Sequence, residues 1–91
     1  MVEYSAQELA TLATFDMLKA FARGKALERM GLGYSAEAPN IASLVSRGLV
    51  KVRANGALVC SKKEARAIMS ANHVPEEYKN ELDNWHMQFK L

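Results

Sequence analysis

The sequence is poor in the residue types that hold metals or form covalent cross-links. Its 91 residues include one cysteine and two histidines. A single cysteine cannot form an internal disulfide, so we expect a reducing setting, in the cytoplasm or on the nucleoid. Cys60, His73 and His86 follow one another at intervals of 13 residues, which match no zinc motif. We therefore expect no metal and no cofactor.

Enzyme motifs are also missing. There is no glycine-rich phosphate loop, no Gly-x-Ser-x-Gly and no His-Glu-x-x-His. No acid, base and nucleophile can be grouped from the sequence, and Cys60, beside a valine, is predicted to be a small core residue. We therefore expect that the protein is not an enzyme.

Long apolar runs are absent as well. No stretch of about 18 apolar residues occurs, so we expect no membrane-spanning helix. The first residues, MVEYSAQEL, place no basic region ahead of an apolar core, and we expect no secretory signal. With 49% hydrophobic and 24% charged residues, the composition is typical of one small globular domain.

Positive charge is concentrated in the middle of the chain. The formal net charge is +2, but residues 19–66 hold ten of the 12 Lys and Arg residues and three of the 10 Asp and Glu residues. A basic centre between acidic ends is typical of a surface that faces a polyanion. An ordinary solvated surface would explain the same lysines, and both interpretations stay open here.

Residues 39–61, PNIASLVSRGLVKVRANGALVCS, predict a helix followed by a hairpin. The apolar residues of the first part recur at helical spacing and end with Leu44 and Val45. Gly48 is suited to the left-handed position after a helix, and Leu49 can then fold back on Leu44. Beyond Gly48 the apolar period changes to two, as in a strand.

Asn55-Gly56 is the strongest hairpin signal in the sequence. Both residues tolerate the positive φ that a two-residue type I′ turn requires. Counting outward from that turn pairs Arg53 with Leu58, Val52 with Val59 and Lys51 with Cys60. The alternation then places Val50, Val52 and Val59 on one face and Lys51 and Arg53 on the other.

A helix running through SRGLVKV into a basic hairpin resembles the recognition helix and wing of the winged helix-turn-helix superfamily. The resemblance covers roughly residues 8–72 and is carried by Ile41, Leu44, Val45, Gly48, Leu49, Val50 and the Asn55-Gly56 tip. It implies a mainly α fold with a small β-hairpin, a winged-helix domain over residues 1–72 and a further C-terminal helix. It implies DNA binding less firmly, because many winged helices serve as protein-interaction modules.

Cap and glycine signals predict the helices that precede this stretch. Ser5 and Glu8 form a capping box, and the apolar pattern predicts a helix over about residues 6–23 that Gly24 ends. A short second helix is predicted over residues 25–30, followed by the Gly-Leu-Gly turn of residues 31–33. Ser35 is the expected N-cap of the third helix, with Pro39 in its first turn.

If the third helix reads DNA, its polar stripe would lie in the major groove. Asn40, Ser43 and Arg47 fall on one side of that helix, with Glu37 at its leading end. Asn can bind adenine and Arg can bind guanine in a bidentate manner, and Ser can bind either base edge. These three are the predicted base-reading residues, although a solvated helix face has the same composition.

Further residues are predicted to contact DNA without reading bases. A wing would place its cations along the phosphates, and Ser61-Lys-Lys-Glu64 predicts a capped helix over residues 62–71 whose first-turn lysines oppose the helix dipole. The predicted contacts are Lys25, Arg29, Lys51, Arg53, Asn55, Lys62 and Lys63. Alternatively, the hairpin cations protect a two-stranded edge from pairing with another chain.

The segment over residues 73–91 predicts an amphipathic C-terminal helix. Its apolar stripe is Tyr78, Leu82, Trp85 and Phe89. This helix either packs back on the first helix or pairs with its copy in a homodimer, since its spacing is that of a coiled-coil seam, although a short one. The four residues are the predicted interface.

Two functions follow as hypotheses. The first is a sequence-specific or architectural protein that binds double-stranded DNA, as a small transcriptional regulator or accessory factor. The second is a degenerate winged helix that binds another protein, as a small adaptor or inhibitor of the kind that phages and plasmids encode. This second hypothesis is supported by the modest net charge, by Glu37 on the groove-facing stripe and by the aromatic residues of the C-terminal helix.

Overall fold

The computed structural model describes residues 3–89, and this part of the chain is mainly helical with a small antiparallel hairpin. The elements are α1 (Ala6–Met17), α2 (Ala20–Arg29), α3 (Pro39–Ser46), β1 (Val50–Val52), β2 (Leu58–Cys60), α4 (Lys62–Ala71) and α5 (Glu76–Phe89). The expectation of a mainly α protein with a small β-hairpin is thus confirmed. No helix in these residues is long and apolar enough to cross a membrane.

The capping box at the start of α1 is confirmed. The Glu8 amide donates to the Ser5 hydroxyl at 3.1 Å, and the Ser5 amide donates to the Glu8 carboxylate at 2.8 Å. Residues 8–15 are all buried, so α1 is enclosed on every side. The other elements therefore pack around α1.

The predicted end of the first helix is wrong. The chain leaves the helix at Leu18 and Lys19, both in extended conformation, and Gly24 lies inside α2. The Arg23 guanidinium donates to the carbonyls of Thr14 and Phe15 at 3.2 and 3.4 Å and so satisfies the open end of α1. The helix thus ends through a contact with a residue further along the chain.

The third helix begins later than its predicted cap. Ala38, not Ser35, is the N-cap, and Pro39 occupies the first turn as expected. The Ser35 carbonyl accepts a bond from the Ala38 amide at 3.0 Å, so Ser35 closes a turn before the helix. The resulting connection, residues 30–38, is longer than the short turn of a helix-turn-helix unit.

The glycine stop after α3 is confirmed. Gly48 has a φ of +78°, and the Leu49 amide donates to the Leu44 carbonyl at 3.0 Å, which is the closing bond of a Schellman motif. Leu49 packs against the core that contains Leu44. This cap determines the direction in which the chain enters β1.

The predicted hairpin register is wrong by one residue. The observed pairs are Val50 with Cys60, Lys51 with Val59 and Val52 with Leu58. The turn is longer than predicted, because the Gly56 amide bonds the Arg53 carbonyl at 2.8 Å and only Gly56 has positive φ. A shift of one residue exchanges the two faces of a strand. Leu58 and Cys60 accordingly face the core, and Val59 shares the outer face with Lys51.

The core has two sides that meet at α1. On one side, Leu12 and Phe15 of α1 pack with residues of α3, β1 and α4; the buried members of this cluster are Leu12, Phe15, Ile41, Leu44, Val50 and Ala65. On the other side, α5 covers α1 and α2. Both α2 and α3 pack on α1, and α5 also covers α2; the winged-helix assignment stays a prediction.

The C-terminal helix packs on its own chain. Tyr78 and Leu82 are buried against Ala10 and Ala13 of α1. Trp85 and Phe89 are half-buried and pack against α2. The residues of the predicted dimer seam are therefore packed within one chain. This is the first of the two alternatives, in which the helix packs back on its own chain.

A substitution at Gly33 tests how tightly the connection between α2 and α3 is packed. A Cβ on Gly33 would collide with the Cβ of Ala38, so we expect Gly33→Ala to lower the free energy of unfolding by about 1–3 kcal/mol, as overpacking does. Urea denaturation measures this change, provided that the m value stays constant.

The matched control removes the colliding methyl group. Ala38→Gly places a residue that N-cap positions tolerate, and the double variant Gly33→Ala/Ala38→Gly should recover most of the lost stability. If Gly33→Ala alone is as stable as the native protein, the packing of this connection is described wrongly.

Candidate nucleic-acid interface

Asn40, a predicted base reader, is turned into the protein. Its side-chain nitrogen donates to the Thr11 hydroxyl and to the Gly33 carbonyl, each at 2.9 Å. Its side-chain oxygen accepts from the Gly33 amide at 3.2 Å. The residue is 5% exposed. Asn40 therefore joins α1, α3 and the connection between α2 and α3, and its amide group is occupied.

Ser43 and Arg47 are also held by α1. The Ser43 hydroxyl donates to the Glu8 carboxylate, and Arg47 Nε donates to the same oxygen at 2.7 Å. Arg47 Nη2 donates to the Glu3 carbonyl at 2.7 Å, and its guanidinium lies 4.7 Å from the centre of the Tyr4 ring. Both side chains thus have partners within the protein.

The expectation that this stripe faces solvent is wrong for Asn40 and Ser43 for a physical reason, whereas Arg47 is partly exposed. Alternating faces can be recognised from helical spacing, but the polar face need not be the exposed one. Here α1 presents Glu8 and Thr11 to α3, and buried polar groups require partners. Asn40 and Ser43 therefore face α1, and the partly exposed Arg47 folds back onto Glu8.

The buried carboxylate of Glu8 is the electrostatic centre of this contact. Burial by itself raises the pKa of Glu8, but hydrogen bonds from Ser43 and the Ser5 amide, together with the hydrogen bond and charge of Arg47, outweigh it. The pKa therefore lies below its ordinary value. Glu8 stays ionised and holds α3 on α1.

The predicted phosphate contacts of the hairpin and α4 remain accessible. The exposed residues among them are Lys51, Arg53, Asn55, Lys62 and Lys63. Lys51 and Ser61 line one groove of about 220 Å³, together with Glu64, so the outer face of β1 adjoins the start of α4. The hairpin and the first turn of α4 form one surface, which we name the hairpin–α4 surface.

Lys25 and Arg29 lie elsewhere. Both are exposed on α2, and they line a groove between α2 and α5 of about 280 Å³ together with Glu28 and Glu81. Carboxylates in the same groove offset part of the positive charge. The structure therefore separates these two residues from the hairpin–α4 surface.

Few cations of the described residues are neutralised by ion pairs. Within residues 3–89 the ion pairs are Arg47 with Glu8 and Arg66 with Asp16. Lys51, Arg53 and the α4 lysines form no ion pair there.

In the same range, no three His, Cys, Asp or Glu side chains are grouped closely enough to hold a metal ion.

Two features of the structure have no signal in the local sequence. The second oxygen of Glu8 binds α3, although the capping box accounted for this residue locally. Phe21 falls within the apolar pattern that predicts a first helix over residues 6–23, but in the structure it lies on α2 and is 69% exposed. Both features depend on which elements pack around α1, and this packing cannot be read from the spacing of neighbouring residues.

Comparisons with known proteins assign this chain to no family. No protein-family model, no curated protein and no solved structure matches it. Its function therefore has to be inferred from the geometry of its surfaces.

The role of Glu8 predicts a pH-dependent stability. Because folding lowers the pKa of this group, its contribution is complete above the ordinary value of 4.5 and is lost as pH falls below it. We expect Glu8→Gln to cost about 1–3 kcal/mol at neutral pH. The difference from the native protein should shrink in acid, as measured by urea denaturation across pH.

Glu3→Gln is the matched control. Glu3 is exposed and contributes only its carbonyl to Arg47, so the substitution removes an equal charge near α1 and leaves the network intact. Equal losses for both variants would contradict the assigned role of Glu8.

Proposed function

We propose that the protein binds double-stranded DNA through the hairpin–α4 surface as an architectural or accessory factor that contacts phosphates. The observation that carries this proposal is the grouping of exposed cations on the outer face of the hairpin and in the adjoining first turn of α4. These cations lie where no ion pair within residues 3–89 neutralises them.

The hairpin supports the proposal through its alternation. Lys51 and Arg53 are two residues apart, so they point to the same face of the ribbon. Residues 51–57 are all exposed. A projecting ribbon with cations along one face can follow a phosphate backbone, which positions a protein without reading sequence.

The first turn of α4 adds a second supporting feature. Ser61 caps this helix, and its hydroxyl accepts from the Glu64 amide at 3.3 Å. Lys62 and Lys63 follow directly, where the helix dipole disfavours positive charge. A phosphate next to this turn would interact favourably with both the lysines and the dipole.

Binding through phosphates also agrees with the hydrogen bonds that already occupy the polar residues of α3. Asn40, Ser43 and Arg47 are engaged with α1 and its neighbours, so reading bases through them would require breaking those bonds. We therefore assign the affinity for DNA to contacts with its phosphate backbone, which dominate non-specific binding.

A protein partner is the second candidate, and the outer side of α3 favours it. Pro39 and Ser46 are exposed there, and Val45 is 37% exposed. In the hairpin, Val52 is 43% exposed. Neutral surface of this kind suits a protein better than a polyanion, whose contacts are largely charged.

The DNA proposal is tested by neutralising the hairpin. If Lys51, Arg53, Lys62 and Lys63 each contact a phosphate, affinity for a random duplex should fall by about two decades between 50 and 200 mM salt. Lys51→Gln/Arg53→Gln should weaken binding at low salt and reduce the salt slope by about two. Fluorescence anisotropy of a labelled duplex measures both quantities.

Lys79→Glu is the control with the same change in net charge. Lys79 is exposed on α5, away from the hairpin–α4 surface, and reversing one charge equals neutralising two. If both variants lose affinity equally, only net charge matters and the surface assignment fails. If the native protein does not bind the duplex at 50 mM salt, the protein-partner candidate replaces the DNA proposal.

A further inference from the structure

Phe21 is a large aromatic side chain on the outside of α2. It is 69% exposed, whereas the other side of this helix buries Ala22, Ala26 and Leu27. The chain turns at Leu18 and Lys19, so α2 begins in a new direction and Phe21 falls on its outer side. The break in the first helix thus places an aromatic ring in solvent.

The exposed ring is held in place by two other aromatic residues. Phe21 meets Phe89 edge to face, with ring centres 5.4 Å apart and an angle of 82° between the planes. Phe89 in turn lies 5.3 Å from Trp85, and the Trp85 indole donates to Glu81 at 2.9 Å. In an edge-to-face pair at least one face of Phe21 is left uncovered by Phe89.

Two exposed lysines flank Phe21, and the second of them also lines the groove that contains Glu28 and Glu81. Lys19 is exposed two residues before it, and Lys25 is exposed one helical turn after it. The Lys19 amide donates to the Phe89 carbonyl at 3.0 Å, so the start of α2 adjoins the end of α5. Residues 84–89, NWHMQF, contain no carboxylate. In addition, Asp16, the nearest acidic residue before Phe21, is paired with Arg66.

From this arrangement we infer that Phe21 is a stacking site for an unpaired base of single-stranded nucleic acid. The base would lie on the free face of the ring, and Lys19 and Lys25 would contact the adjoining phosphates. Aromatic rings beside cations are the usual means of holding single strands, because every base has a face that can stack. The inference rests on the proposed function in taking nucleic acid as the partner, and it adds a second contact apart from the hairpin.

The position of Phe21 favours an unpaired base over a duplex. The bases of a duplex are already stacked on each other, so a ring at the surface reaches them only after unstacking, which costs a few kcal/mol. A single strand offers the bases at little cost. Substituting Phe21 should therefore alter binding of a single strand and leave binding of a duplex unchanged.

The test uses a labelled thymidine oligonucleotide of about 16 nucleotides, the upper end of what a small single-strand-binding domain covers. We expect Phe21→Ala and Phe21→Leu to weaken binding at least about fivefold, the lower bound for one stacked base. Phe21→Tyr should retain native affinity because it keeps the ring. Duplex binding should be the same for all three variants.

Trp85 supplies an independent readout. It is the only tryptophan in the sequence, and Phe89 links it to Phe21, so we expect its fluorescence to change when the oligonucleotide binds to the native protein and to Phe21→Tyr. Phe21→Leu keeps an apolar side chain against Phe89. A weakened Phe21→Leu variant whose urea midpoint is unchanged therefore reports stacking and not unfolding.

The outcomes separate this inference from the proposed function. If Phe21→Leu binds the oligonucleotide as well as the native protein does, or loses oligonucleotide and duplex equally, the stacking site is overturned. The same holds if the native protein does not bind the oligonucleotide. If Lys51→Gln/Arg53→Gln changes nothing but Phe21→Leu selectively weakens single-strand binding, the hairpin proposal fails and the stacking site stands.

Discussion

The arrangement of the protein depends on the buried carboxylate of Glu8. An ionised group inside a protein must be fully partnered. The Ser5 amide bonds one oxygen from within the capping box, and the other oxygen takes its donors from Ser43 and Arg47 of α3. The hydrogen bonds from Ser43 and Arg47 to Glu8 fix the rotation of α3 about its own axis. Since β1 follows α3 through the Gly48 cap, the direction of the hairpin depends on the same contact.

The rotation of α3 decides which surfaces can meet a partner. Its polar residues are used to join the helix to α1, and its outer side is neutral. The accessible charges that form no ion pair within residues 3–89 are then chiefly those on the outer face of the hairpin and at the start of α4. Any binding of a polyanion is accordingly expected at these edges and not along α3.

A second contact at a distance shapes the opposite side of the molecule. No glycine or proline stands at Leu18 or Lys19, yet α1 ends there because Arg23 bonds the terminal carbonyls and Lys19 bonds Phe89. Without this break Phe21 would continue the apolar side of α1. With it, α2 and α5 pack side by side and the ring of Phe21 is left outside.

The features that could be predicted from sequence are those set by residues a few positions apart. The Ser5–Glu8 capping box, the Gly48 stop, Pro39 in a first turn and the amphipathic stripe of α5 all depend on local geometry. Tertiary structure decided the end of α1 and the contacts of Asn40, Ser43 and Arg47, whereas the hairpin register follows from a turn that is one residue longer than predicted. At the end of α1 and along α3 the free energy comes from groups far apart in the chain, namely Arg23 on the end of α1 and Glu8 and Thr11 against α3. Local spacing identifies two faces of a helix or strand, but only the element packed against it determines which face is buried.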